Sequence, residues 1–164
     1  MGHNITAIIL KDDYDKTAAE SFGLLGKELS FSLTVFHIDH YQTACWQYEL
    51  KTVGQLETSI SDNFIFPTEI AISEVIKTIS VYEEPLYAII QTDYFGRIGN
   101  QFASVYKYKD NIDKNAKTIN QVLIHLGVKT NGKLDEFDTI GLDKIRSQPD
   151  IFDKYVDLAD EYGV

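Results

Sequence analysis

LYAIIQTDYFGRIGNQFASVYKYK, residues 86–109, holds two strand-like runs, 86–93 and 102–109, on either side of a segment carrying Gly96 and Gly99. That arrangement reads as a β-hairpin. Its first run begins with five apolar or aromatic residues, Leu86, Tyr87, Ala88, Ile89 and Ile90. A strand that does not alternate is covered on both faces and lies centrally in its sheet, so the rest of the chain must supply the layers around it.

Working outward, residues 3–11 (HNITAIILK) are rich in β-branched side chains and predict the first strand. Asp12, Asp13 and Asp15 then offer helix-start chemistry, with Ala18, Ala19, Phe22 and Leu25 at helical spacing until Gly23 and Gly26 weaken and end the helix. Residues 29–38 alternate, with Leu29, Phe31, Leu33 and Val35 on one side and Ser30, Ser32 and Thr34 on the other, which predicts one half-buried strand. Asp39 with Gln42 three positions on forms a capping box for a helix whose expected inward stripe is Tyr41, Ala44, Cys45 and Tyr48. Residues 51–66 read as a long connection, and Pro67-Thr68 start a helix striped by Ile72, Val75, Ile76 and Ile79. After the hairpin, Ala116, Ile119, Val122, Leu123 and Leu126 define another helix, ended by Gly127. Residues 134–142 read as irregular, and Pro149-Asp150 start a last helix with Phe152, Tyr155, Val156 and Ala159 inward. The sum is an α+β fold: one domain over residues 1–164, with a mixed or mostly antiparallel sheet of about four strands around the 86–109 hairpin and amphipathic helices on at least one face.

At 164 residues with 44% hydrophobic content, the chain can build a core. Its 15 Lys and Arg against 25 Asp and Glu give a formal charge of -10. Such a surface repels phosphate backbones and anionic lipid, which excludes nucleic acid and membrane partners and favours small molecules, cations or a basic protein. Solubility alone also accounts for an acidic balance. The lone Cys45 rules out an internal disulfide and fits a reducing, cytoplasmic compartment. No secretory signal is visible, because the apolar run 7–10 is short and lacks a basic flank before it. The first six residues also fit a myristoylation template, but they lead straight into a strand.

Three clusters could carry chemistry. His37, Asp39 and His40 are two imidazoles and a carboxylate within four positions, a candidate metal set. Against it, a strand would point His37 and His40 to opposite sides, and a capping Asp39 is already engaged. The hairpin tip offers Asp93, Tyr94, Phe95, Arg97, Asn100 and Gln101 as binding residues: an anion clamp in Arg97, and aromatics for a ligand or partner. Its glycines also suit a plain turn. Asp135, Glu136 and Asp138 surround Phe137 and could bind a cation or face a basic partner, although their spacing is not that of an EF-hand. No Walker A, G-x-S-x-G, H-E-x-x-H or G-x-G-x-x-G motif is present, and no cofactor is indicated.

The blocks MGHNITAIIL, HIDHYQTACWQ, TDYFGRIGNQFASV and DEFDTIGLDKIR together resemble an uncharacterised family of small bacterial proteins, a domain of unknown function. The resemblance implies a bacterial cytoplasmic setting and brings no activity, cofactor or site residues. Two functions fit the residues. One is a non-catalytic acidic binding protein, comparable in size and charge to the immunity proteins that neutralise a basic toxin. The other is a small metal-assisted hydrolase using His37, Asp39 and His40.

Overall fold

The computed structural model describes residues 2–60, 65–96 and 98–164; Arg97 and positions 61–64 of the 51–66 connection lie outside them. In chain order the elements are β1 (Thr6–Lys11), α1 (Lys16–Ser21), β2 (Gly26–Leu29), β3 (Leu33–His37), α2 (His40–Glu49), α3 (Ile70–Ile79), β4 (Leu86–Phe95), β5 (Ile98–Lys107), β6 (Asp110–Asn111), α4 (Ile119–His125), α5 (Glu136–Thr139), a 3-10 turn at Leu142–Lys144, and α6 (Asp153–Tyr162). The strands form one sheet in the order β2-β3-β1-β4-β5-β6, with every neighbouring pair antiparallel. The class is α+β, and β4 is central as its apolar run requires. The sheet has six strands where about four were expected.

The two additional strands are β2 and β6. The alternating run 29–38 is broken by a turn in which Phe31 and Ser32 both adopt positive φ, 63° and 58°. It therefore folds back as the β2–β3 hairpin, and Leu29 pairs with Leu33. Beyond the turn, Leu33, Thr34, Val35 and Phe36 are all buried, so β3 is covered on both faces and not half-buried. β6 is only two residues long and pairs with the end of β5.

Period-2 alternation sends each strand's side chains to two separate cores. On one face Ala7, Ile9, Val35, Ala88, Ile90, Ala103 and Val105 meet Ile119, Val122, Leu123 and Leu126 of α4, together with Ile140, Leu142 and Ile145. On the other, Ile8, Leu10, Phe36, Ile89 and Tyr106 meet Trp46 of α2 and Ala71, Ile72, Val75, Ile76 and Ile79 of α3. The sheet is thus sandwiched between helical layers. Seven residues of α4 are too few for a stable isolated helix. Burial holds it in place, at about 1.5–3 kcal/mol for each large apolar side chain removed from water.

Four helical expectations change. α1 stops at Ser21, Leu25 beyond it is 61% exposed, and Gly26 opens β2. In α2 the buried positions are Gln42, Thr43, Cys45 and Trp46, whereas Tyr41 and Tyr48 are 37% and 51% exposed. The helix serves two neighbours: Trp46 meets Phe22 edge-on at 6.3 Å, while Tyr48 stacks on Tyr162 of α6 at 4.2 Å. At α6, Phe152 just before the helix and Ala159 within it are buried but Val156 is exposed, because α6 lies on α2 and not on the sheet. Residues 134–142 are not irregular. Asp135 caps α5 through the Asp138 N–H, and Ile140 and Leu142 are buried in the first core. Among the described residues, no helix is long and apolar enough to cross a membrane.

Candidate functional site

The β4–β5 ladder runs unbroken to the Phe95–Ile98 pair, so the residues expected to decorate a loop are rungs of a sheet. Gly99 makes this possible: at φ 156°, a Cβ there would stand 2.0 Å from the Asp93 carbonyl oxygen. Alternation then divides the tip between the two faces. Tyr94 joins Thr92 and Gln101 on the α4 side; Asp93, Phe95, Ile98 and Asn100 turn to the other.

On the α4 side lies a cavity of about 290 Å³, lined by His3, Thr92, Tyr94, Gln101, Ile119, Asn120, Asp135, Phe137, Asp143 and Arg146, with Gly96 at its edge. Hydrogen bonds fix its walls. His3 and Tyr94 exchange backbone bonds of 2.9 Å, and the Asn4 N–H donates to the Arg146 carbonyl at 2.8 Å, so the N-terminal segment is wedged between β4 and residues 146–147. The buried His3 ring donates from Nε2 to the Leu142 carbonyl at 2.9 Å, which leaves Nδ1 to accept from the Thr92 hydroxyl at 2.7 Å. The Thr92 oxygen in turn accepts from the Ile5 N–H. Gln101 donates to the Tyr94 hydroxyl oxygen at 3.1 Å and accepts from the Ile119 N–H at 2.8 Å, tying the hairpin to α4. Asn120 accepts from the Phe137 N–H and donates to Asp135 Oδ2, tying α4 to α5.

The cavity is acidic. Beside it on α5, burial, followed by the neighbouring Asp135 and Asp143 carboxylates, pushes the Asp138 carboxyl above its ordinary range. Asp143 Oδ1 is shielded from solvent and has no hydrogen-bond partner. Arg146 lies beside it, but donates to the Gly2 and Asp143 backbone carbonyls and makes no ion pair with a described residue. On the opposite face Asp93 and Asn100 line a second cavity, of about 460 Å³, with Asp39 and His40.

Of the sequence candidates, Tyr94, Gln101 and Asp135 converge on the first cavity, and Asp93, Asn100, Asp39 and His40 on the second. Phe95 projects from the tip, Glu136 and Asp138 sit on α5 beside the first cavity, and Arg97 lies outside the described residues. His37, Asp39 and His40 are not brought together as a metal set. His37 pairs in register with Ala7 and faces the α4 side. His40 begins α2 on the other side, 3.6 Å from Asp39, whose carboxylate caps that helix. Among the described residues no group of three His, Cys, Asp or Glu is placed to hold a metal ion. Sequence reasoning missed His3, Thr92, Asn120, Asp143 and Arg146. The partners of His3 are 89 and 139 positions away, so no local pattern marks it. Asp143 and Arg146, in contrast, belong to the DEFDTIGLDKIR block that had already stood out. Comparison with family models, curated proteins and solved structures finds no match to the chain.

Proposed function

We propose that this chain is a non-catalytic binding protein for a basic protein partner, acting in the manner of an immunity protein in a bacterial cytoplasm. The partner docks on the end of the sheet where the hairpin tip and the acidic segment 135–143 lie. One observation carries this reading: the terminal rung of the β4–β5 ladder is a pair of large apolar side chains, Phe95 and Ile98, 85% and 83% exposed. Single exposed apolar residues are ordinary, but two held side by side on rigid strands form a preorganised anchor that binding would remove from water. Asp93 and Asn100 form the rung behind them, and the acid-lined cavity opens on the other face of the same strands. With a formal charge of -10 the whole surface steers a basic protein toward that anchor. The hydrolase alternative gains no comparable support, since its histidines lie on opposite sides of the sheet.

The test is affinity capture from the source cytosol by the full-length chain and by a Phe95→Ser, Ile98→Ser double variant. Both positions are exposed, so the variant should keep its thermal midpoint within the range of surface substitutions, about 0.5 kcal/mol. The expected result is one basic protein retained by the wild type, released by salt, and lost at least tenfold in the variant. Equal retention by the variant would overturn the proposal.

A further inference from the structure

Asn111 and Asn131 each bridge a turn with the side-chain oxygen, and the backbone around them makes them chemically unequal. Asn131 Oδ1 accepts from the Lys133 N–H at 3.1 Å, and Asn111 Oδ1 accepts from the Asp113 N–H at 3.0 Å. After Asn111 comes the β-branched Ile112, whose N–H donates to the Val105 carbonyl at 3.2 Å, while the Asn111 amide nitrogen donates to the Glu57 carbonyl at 3.0 Å. After Asn131 comes Gly132, exposed in the segment between α4 and α5, at φ 85° and with open space where a Cβ would stand. The Gly132 N–H makes no hydrogen bond to a described residue.

That difference decides which side chain can react with its own backbone. The nitrogen of the following residue is tethered close to the asparagine Cγ, so ring closure needs only a local rotation and no second molecule. Glycine opposes that rotation least, whereas a β-branched residue held in a hydrogen bond opposes it most. At Asn131 the Lys133 N–H is also aimed at Oδ1, the oxygen on which negative charge develops when Cγ is attacked.

We propose that Asn131 is a self-modifying site. The Gly132 nitrogen bonds to Asn131 Cγ, and the side-chain amide group leaves as ammonia, carrying the Gly132 N–H proton, so that a cyclic succinimide remains. Water then adds across one of the two imide C–N bonds. Breaking the new bond gives aspartate at 131; breaking the original peptide bond gives isoaspartate, with the chain continuing through the side-chain carbon. Either product places a carboxylate in the segment leading to the acidic run Asp135, Glu136 and Asp138, and takes the formal charge one unit below -10. The lengthened backbone of the isoaspartyl form is accommodated because Gly132 meets open space.

The test is incubation of the folded full-length chain at neutral pH, quenching in acid and peptide mapping by tandem mass spectrometry. Each asparagine is scored by the mass gain of an NH₂-for-OH exchange, with aspartyl and isoaspartyl peptides separated by chromatography. The expected result is conversion at Asn131 at least about tenfold faster than at Asn111, giving both isomers. Gly132→Ala, whose added methyl faces open space, should slow conversion about tenfold, with circular dichroism to check that the fold is kept. Equal rates at Asn131 and Asn111, aspartate without isoaspartate, or undiminished conversion in the folded Gly132→Ala variant would each overturn the inference. If the variant does not fold, the wild-type comparison of rates and isomers decides alone.

Discussion

Gln148 joins two strands that are more than a hundred positions away in sequence. Its amide oxygen accepts from the Thr6 N–H and from His37 Nδ1, each at 2.9 Å, and its nitrogen donates to the Ile38 carbonyl at 2.7 Å. It thereby closes the end of the β1–β3 ladder, which stops at the Ala7–His37 pair. His37 is held there largely desolvated, and burial, helped by the Lys27 charge, lowers its pKa below the ordinary 6.5 despite the bond to Gln148. The unfolded chain then binds a proton that the folded chain refuses. Stability is full above the ordinary value and falls as pH drops through 6.5 toward the lowered one. Thermal midpoints of wild type and His37→Gln, compared between pH 7.5 and pH 5, should show the wild type losing ground as the solution is acidified. A difference independent of pH would contradict this. The residue scale is where the sequence was least legible. His37 was visible as a histidine near an aspartate, but its real partner lies 111 positions away.

At the scale of elements, signals contained within four or five residues were legible and those needing unusual backbone were not. Asp39 and Gln42 form the capping box that their spacing predicted, with the Asp39 carboxylate accepting from the Tyr41 N–H at 3.0 Å and the Gln42 amide oxygen accepting from the Asp39 N–H. Asp39→Ala should cost about 1 kcal/mol, read as a lower urea midpoint with unchanged slope; an unchanged midpoint would mean that the box carries no stability. The β2–β3 turn escaped because Ser30-Phe31-Ser32 contains neither glycine nor asparagine, the residues that announce positive φ. There the partial burial of Phe31 in the first core and the pairing of Leu29 with Leu33 prevail over local preference. The exposed Tyr41 and Tyr48 have a similar cause. Periodicity finds a stripe, but α2 must serve α6 as well as the sheet, and no pattern within one helix says so.

For the molecule as a whole, alternation along β4 and β5 builds two cores and then, past the last core rung, two different surfaces. Where the helices cover the strands, both faces are apolar. At the far end the same alternation leaves an acidic cavity on one side, a polar cavity on the other and the Phe95–Ile98 pair at the tip. The α+β class and the central hairpin were legible because they depend on runs and periods. The convergence of His3, Tyr94, Asp135 and Asp143 was not, because it depends on how four distant segments meet. On the proposed function, this end of the sheet is the docking face for a basic partner. Hydrogen–deuterium exchange on the free chain and on its complex with the captured basic protein tests that proposal. Slowed exchange over residues 92–101 and 135–146, with α6 and the β2 edge unchanged, is the predicted result; protection on α6 or β2 with none at 92–101 would contradict it.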